Sequence, residues 1–156
     1  MSQAGHIDRL IAHRAPFRFV DALVRVDPEA GELLLDLARD DPRLHQGRLA
    51  PLLLVEALAQ ATAAFNRAQE RGDTPEVGVL VSIDQARFYA AAHGGDRVAL
   101  HVRAGQTLGP MARFRCAARV AERLLVEAEL TVRRGSDILG EPAPTAGAQA
   151  EERHES

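Results

Sequence analysis

Apolar residues crowd into one stretch of this chain and alternate with polar ones through much of the rest. From Leu52 to Phe65 only Glu56, Gln60 and Thr62 interrupt a run of Leu, Val, Ala and Phe. Pro51 suits the first turn of a helix and Gly72 suits its end, so the pattern predicts a helix from Pro51 to about Arg71. A helix apolar almost all the way round is normally buried.

The flanking segments carry β-type patterns. Phe17 to Val26 and Glu32 to Leu37 predict a hairpin across the turn signal Asp27-Pro28-Glu29-Ala30-Gly31. Val77 to Tyr89, Arg97 to Ala104, Met111 to Val120 and Leu124 to Arg133 predict four further strands. In the third of these, Ala112, Phe114, Cys116, Ala118 and Val120 face one way, with Arg113, Arg115 and Arg119 opposite. Short turns join the later strands, which are expected to be antiparallel neighbours. His6 to His13 predicts a short helix with Ile7, Leu10 and Ile11 on one face, and Asp40 to Ala50 an irregular connection. The class is α+β, one buried helix wrapped by a curved antiparallel sheet. Residues 1–140 form the expected domain. Glu141 to Ser156, rich in Pro, Ala, Gly and Glu, is the expected flexible tail.

Composition narrows the chemistry. The net charge of −3 argues against nucleic-acid binding. All 19 basic residues are arginine, so Schiff-base chemistry, lysine-anchored pyridoxal phosphate and a P-loop lysine are excluded. Cys116 is the only cysteine, and the histidines lack metal-ligand spacing, so neither a metal nor any other cofactor is expected. With no run long enough to span a bilayer and no leader-like start, a cytoplasmic location without membrane association is expected.

Two kinds of group remain as candidates for chemistry. Glu56 sits among Leu53, Leu54, Val55, Ala57 and Leu58, where a carboxylate is expensive to bury without purpose, and Gln60 lies one turn on. The plainer alternative is a structural pair near a helix N-terminus. The Arg113, Arg115 and Arg119 row offers either an attraction for an acidic carrier or a solvated face neutralised by Glu127 and Glu129. Cys116, on the apolar face of its strand, reads as packing.

Three segments carry a family resemblance. Leu10-Ile11-Ala12-His13-Arg14-Ala15-Pro16-Phe17 with Val20-Asp21, Val55-Glu56-Ala57-Leu58-Ala59-Gln60, and Ile83-Asp84-Gln85-Ala86-Arg87-Phe88 with Gly95-Asp96 resemble, in order, signatures of the bacterial β-hydroxyacyl-ACP dehydratases. The resemblance implies a hotdog fold and a dimer whose sheets join edge to edge. It also implies an acyl tunnel between subunits and a thioester substrate on the phosphopantetheine of acyl carrier protein or CoA. In that family a loop histidine removes the α-proton, a helix carboxylate from the other subunit handles the hydroxyl, and backbone amides near the helix start polarise the carbonyl.

Glu56 matches the carboxylate. The loop does not match: anchored on Gly47, the histidine position holds Arg48, and the segment Leu44 to Pro51 is shorter than the family's. Arginine stays protonated and cannot serve as the base. His45 is the remaining base candidate, its alternative being plain surface polarity. Gly47, Arg48, Leu52, Leu53 and Gln60 are the expected substrate-binding residues, and His13 is expected to position the N-terminal segment. Three functions stay open: a 3-hydroxyacyl thioester dehydratase of fatty-acid or related polyketide or polyene synthesis, homodimeric through His45 and Glu56; a degenerate subunit that lends Glu56 to a dehydratase paralogue in a heterodimer or simply binds acyl thioesters; and a hotdog thioesterase.

Overall fold

In the computed structural model, which describes residues 4–70 and 78–135, a six-stranded antiparallel sheet holds one long helix against its inner face. This is the arrangement expected of a hotdog domain. The elements run α1 (Ala4–Leu10), β1 (Ala22–Val26), β2 (Ala30–Asp36), β3 (Leu44–His45), β4 (Arg48–Leu49), α2 (Pro51–Gln69), β5 (Gly78–Phe88), β6 (Arg97–Leu108), β7 (Met111–Val120) and β8 (Arg123–Arg134). The sheet order is β1-β2-β6-β7-β8-β5, and β3 with β4 makes a separate small hairpin.

Alternation decides which face meets the helix. Leu33 and Leu35 of β2, Val98, Leu100 and Val102 of β6, Phe114, Cys116 and Ala118 of β7, and Ala128, Leu130 and Val132 of β8 are all buried. Against them α2 sets Leu54, Val55, Ala57, Leu58, Ala61, Ala64 and Phe65, and it touches every strand of the sheet. Phe65 meets Phe114 edge to face, centroids 6.2 Å apart at 80°. Gly31 of β2 lets the Phe65 ring this close, since a Cβ there would stand 2.6 Å from Phe65 Cδ2. Ile7 of α1 and Ile11 just beyond it complete the core, as their pattern predicts.

The strand expectations hold for β2, β5, β7 and β8 and need correction for β1 and β6. The first strand begins at Ala22 rather than Phe17, because the Phe19 amide and Phe17 carbonyl bond to a helix side chain instead of a neighbouring strand. The turn before β2 is built by Asp27, whose Oδ1 accepts from Glu29 N and Ala30 N at 3.0 and 2.8 Å. Those two amides hold the Asp27 carboxyl below its ordinary range. β6 continues past Ala104 to Leu108 across an irregularity in its pairing with β7.

Strand order is the larger correction. β6-β7 and β7-β8 are antiparallel neighbours as expected, but β5 crosses to the far edge and pairs with β8. The connection from Tyr89 to Asp96 is too long for a tight hairpin, and it is held from outside by Tyr89 N and Ala90 N donating to Leu125 O. The irregular connection before α2 contains an ordered hairpin. Gln46 and Gly47 both take positive φ, 50° and 72°, the geometry of a two-residue turn that suits strand twist.

The helix itself ends at Gln69, with Glu70 in extended conformation. Gly72 and the tail 141–156 lie outside the described residues. Nor is α2 covered all round, because Leu52, Glu56, Ala59 and Ala63 form a stripe that is exposed or half-buried. Edge strand β5 also exposes Val79, Leu80, Val81, Ile83 and Phe88. Among the described residues no helix is long and apolar enough to cross a membrane.

Candidate functional site

The start of α2 is shaped by what its sequence omits. Ala50 offers no side-chain cap, Pro51 brings no N–H, and Leu53 N–H turns back to Ala50 O at 2.9 Å. The first turn is therefore left uncapped, its positive dipole end open to an acceptor from outside the helix. Leu52 projects there with 68% of its surface exposed, and Leu53 is half-buried.

One turn further, Glu56 is half-buried and Gln60 is 2% exposed. The Gln60 carboxamide is fully used. Its Oε1 accepts from Phe19 N at 2.8 Å, and its Nε2 donates to Phe17 O and Glu56 Oε1, each at 2.8 Å. A buried amide bonded on both sides cannot turn over without breaking several hydrogen bonds. It therefore holds the Glu56 carboxylate in one place.

The segment that Gln60 grips also carries His13 toward Glu56, Nε2 to Oε1 3.9 Å. Arg14 ties this segment down through its guanidinium, which donates to Ile11 O, His13 O and Asp8 O at 2.8, 2.9 and 3.0 Å. From the other side Arg43 donates to Arg18 O at 2.5 Å and lies over the Phe19 ring, 5.0 Å from its centroid. Arg43 is itself paired with Asp41 at 2.6 Å. Its hydrogen bonds hold the Asp41 carboxyl below the ordinary range.

The other expected residues lie apart. His45 and Arg48 face each other across the β3–β4 hairpin, both exposed, with Gly47 in the turn between. The hairpin is pinned to the β5–β6 connection by Leu49 N to Ala92 O at 2.9 Å and Gly94 N to Gly47 O at 3.1 Å. Arg48 also bridges to His93. Within one chain no hydrogen bond or ion pair joins His45 to Glu56; His13 is the histidine the fold brings to it. Sequence reasoning gave His13 a positioning role alone, and the signal that could have raised it is its place in the same signature as the segment Gln60 grips.

Arg115 pairs with Glu129 at 3.4 Å, while Arg113 stands opposite Thr131 and Arg119 reaches Glu122 O at 3.5 Å. The row is thus a mixed face, neutralised by Glu129 but not by Glu127, which instead accepts from Tyr89 Oη. A groove of about 530 Å³ opens on this outer face, lined by Arg25, Arg87, Arg103 and Arg115 with Glu127 and Glu129. None of the residues around Glu56 lines it, and its alternating charges suit a solvated sheet surface better than a reaction site. Cys116 is buried against Thr62, Sγ to Oγ1 3.5 Å, and burial pushes its thiol up to about 11 despite that hydrogen bond. No group of His, Cys, Asp and Glu among the described residues is disposed to hold a metal ion.

Comparison with known proteins supplies the frame for this geometry. A family model described as ApeP-like, the ApeP dehydratase, matches residues 5–140. The chain is 29% identical over 130 residues to the 3-hydroxyacyl-(acyl-carrier-protein) dehydratase FabZ of Allorhizobium ampelinum, covering 80% of this chain and 84% of that protein. The FabZ of Bacillus pumilus is 28% identical over 144 residues, 88% of this chain and 99% of that one. Among solved structures, the dehydratase heterocomplex ApeI:P from Xenorhabdus doucetiae superposes with a TM-score of 0.74 at 20% identity, over 83% of this chain and 90% of that one. Thioesterase HI1161 from Haemophilus influenzae gives a TM-score of 0.59 at 15% identity, over 73% of this chain and 77% of that one. At those identities the two structures speak for the fold alone. The family match favours dehydratase chemistry over hydrolysis.

Proposed function

The chain belongs to the ApeP-like dehydratase family, and on that premise we propose that it serves the dehydration of a 3-hydroxyacyl thioester carried on an acyl carrier protein, with Glu56 as the carboxylic acid of a site shared between two subunits. The observation that carries this reading is Glu56 itself, half-exposed at the open end of α2 and held by a saturated, buried Gln60.

The reaction takes one proton from C2 of the substrate and expels the 3-hydroxyl as water, leaving an enoyl thioester. A base receives the first proton; Glu56, protonated, gives its own to the departing hydroxyl. The uncapped first turn of α2 suits the thioester oxygen, whose charge rises as C2 is deprotonated. Leu52 and Leu53 line the approach to that turn. Gly47 keeps the neighbouring hairpin narrow, and Arg48 offers a fixed cation to an anionic group of the substrate or its carrier.

The base comes from outside the single chain on this reading. His45 is the candidate within a homodimer. A second dehydratase subunit bearing a loop histidine is the candidate within a heterodimer, and the heterodimer is favoured because Arg48 occupies the expected position of the base here. The solved heterocomplex of similar fold accords with such pairing. The exposed apolar strand β5 and the uncovered stripe along α2 are surfaces suited to a second subunit.

The test is enoyl formation from a 3-hydroxyacyl-ACP by the purified chain, alone and mixed with a histidine-bearing paralogue. Activity is expected in the mixture, lowered by about 10²- to 10⁴-fold in the Glu56→Gln variant. Full activity in that variant refutes the reading. Activity of the chain alone that disappears in His45→Ala replaces the heterodimer with the homodimer.

A further inference from the structure

We propose that His13 acts through Glu56, returning to that carboxylate the proton it loses in each turnover; the inference rests on the role proposed for Glu56 above. Three observations lead to it. Gln60 Oε1 is committed to the Phe19 amide, so Gln60 Nε2 must donate to Glu56 Oε1. That donor fixes the orientation of the carboxylate, and with it the place where His13 meets it. His13 Nε2 stands 3.9 Å from Oε1, beyond a direct hydrogen bond but within the span of a bridging water.

The approach of His13 is built rather than incidental. The three Arg14 hydrogen bonds hold the carbonyl of His13 itself and the backbone before it, and Ile11 is buried in the core. Asp8, Arg14, Arg18 and Asp21 beside it are occupied with one another. Arg18 binds Asp8 at 2.8 Å and approaches Asp21 at 3.5 Å, while Arg14 Nε lies 4.0 Å from Asp8. From α2 the charged group that meets the imidazole is Glu56. In the single chain the side chains of His13 and Glu56 are 46% and 44% exposed, so water reaches both groups.

The protons balance. Each dehydration transfers one proton from C2 to the base and one from Glu56 to the leaving hydroxyl, so the carboxylate ends ionised and the base protonated. His13, protonated, passes one proton through water to Glu56 and regains one from solvent. The base releases its proton to solvent, and the cycle closes with no net change. An imidazole is suited to both halves of that exchange near neutral pH.

The experiment measures kcat and KM for the active complex carrying His13→Gln or His13→Ala, with and without added imidazole. The expected result is a fall in kcat of about tenfold or more with KM little changed, and partial recovery of kcat with imidazole. A purely structural His13 would move the unfolding midpoint instead, and imidazole would not restore the rate. Wild-type kcat in His13→Gln, or a loss that imidazole leaves untouched, overturns the inference. Glu56→Gln separates the two claims. If it is inactive while His13→Gln runs at the wild-type rate, only the role of His13 falls. If it is fully active, or if no pairing of the wild-type chain dehydrates anything, the role of Glu56 falls and that of His13 with it.

Discussion

Replacing Gln60 with methionine removes the hydrogen bonds by which this side chain ties the N-terminal segment to the central helix while keeping the volume of the core nearly unchanged. Three hydrogen bonds of 2.8 Å are lost, to Phe19 N, Phe17 O and Glu56 Oε1. Phe17 is 70% exposed and Glu56 half-buried, so water can replace the partner at both. Phe19 is 5% exposed, and its amide is left without an acceptor. An orphaned buried donor costs about 1–3 kcal/mol and each exchanged bond about 0.5–1.5 kcal/mol, part of which is recovered by no longer burying an amide. The expected net loss is roughly 3 kcal/mol, or about 6–12 °C in the unfolding midpoint of a chain this size. Urea titration with an unchanged slope is the assay. Gln60→Glu sharpens it, because the introduced carboxyl faces Phe17 O and Glu56 Oε1, both acceptors, and is bonded well only while it holds a proton. Burial and the neighbouring carboxylate raise its folded-state pKa above the unfolded value of about 4.3. This variant is therefore closest to wild type below that pH and loses stability as the pH rises toward the folded value. A Gln60→Met loss under about 1 kcal/mol, or a Gln60→Glu loss that ignores pH, would refute the placing of that carboxamide.

Two further outcomes follow from the core. Cys116, whose thiol burial raises from 9.0 to about 11, is expected to resist alkylation at pH 8 until the chain unfolds. Because the raised folded value favours the thiol form, stability falls as pH climbs above 9.0, where the unfolded chain ionises first. Alkylation of the native protein at the rate of a free thiol refutes the burial. Gly31→Ala drives a methyl group against Phe65 Cδ2 at 2.6 Å and is expected to cost about 1–3 kcal/mol in thermal unfolding. No loss there would mean that the Phe65 ring is not locked against Phe114.

The elements with strong periodicity were legible in the sequence, and the relations between distant segments were not. Strand β7 runs from Met111 to Val120 as its alternation predicts, because one face of every inner strand must be apolar to meet α2. The placing of β5 at the far edge was hidden, since alternation gives the faces of a strand but not its neighbours. The apolar circumference of α2 was over-read. Leu52, Ala59 and Ala63 look like core in the sequence, yet they lie on a stripe that one chain leaves uncovered. An apolar residue that one chain leaves uncovered cannot be told from one meant for the interior when only the pattern is read. Glu56 and Gln60 were visible as polar breaks in that helix. His13 was not, because its approach depends on hydrogen bonds from Gln60 to Phe17 and Phe19 across more than forty positions of the chain. The β3–β4 hairpin did leave a signal, Gly47 in a two-residue turn, outweighed by the lack of any β-rich run beside it.

On the proposed reading, the loop and the helix of this chain have opposite consequences for pairing. A guanidinium opposite a carboxylate stabilises the ionised form and does not give up its own proton. Two identical copies would set Arg48 where a base is needed, beside a Glu56 that must carry a proton to be useful, so each site would hold its acid in the wrong state. A partner with histidine in that position removes both faults in one site, because an imidazole accepts the α-proton and, when neutral, leaves Glu56 free to be protonated. The same partner also faces the uncovered stripe of α2 with a surface that need not match this chain's own. On that chemistry an unlike subunit is favoured, and Gln60, by holding Glu56 in place before any partner arrives, keeps this half of the site ready for it.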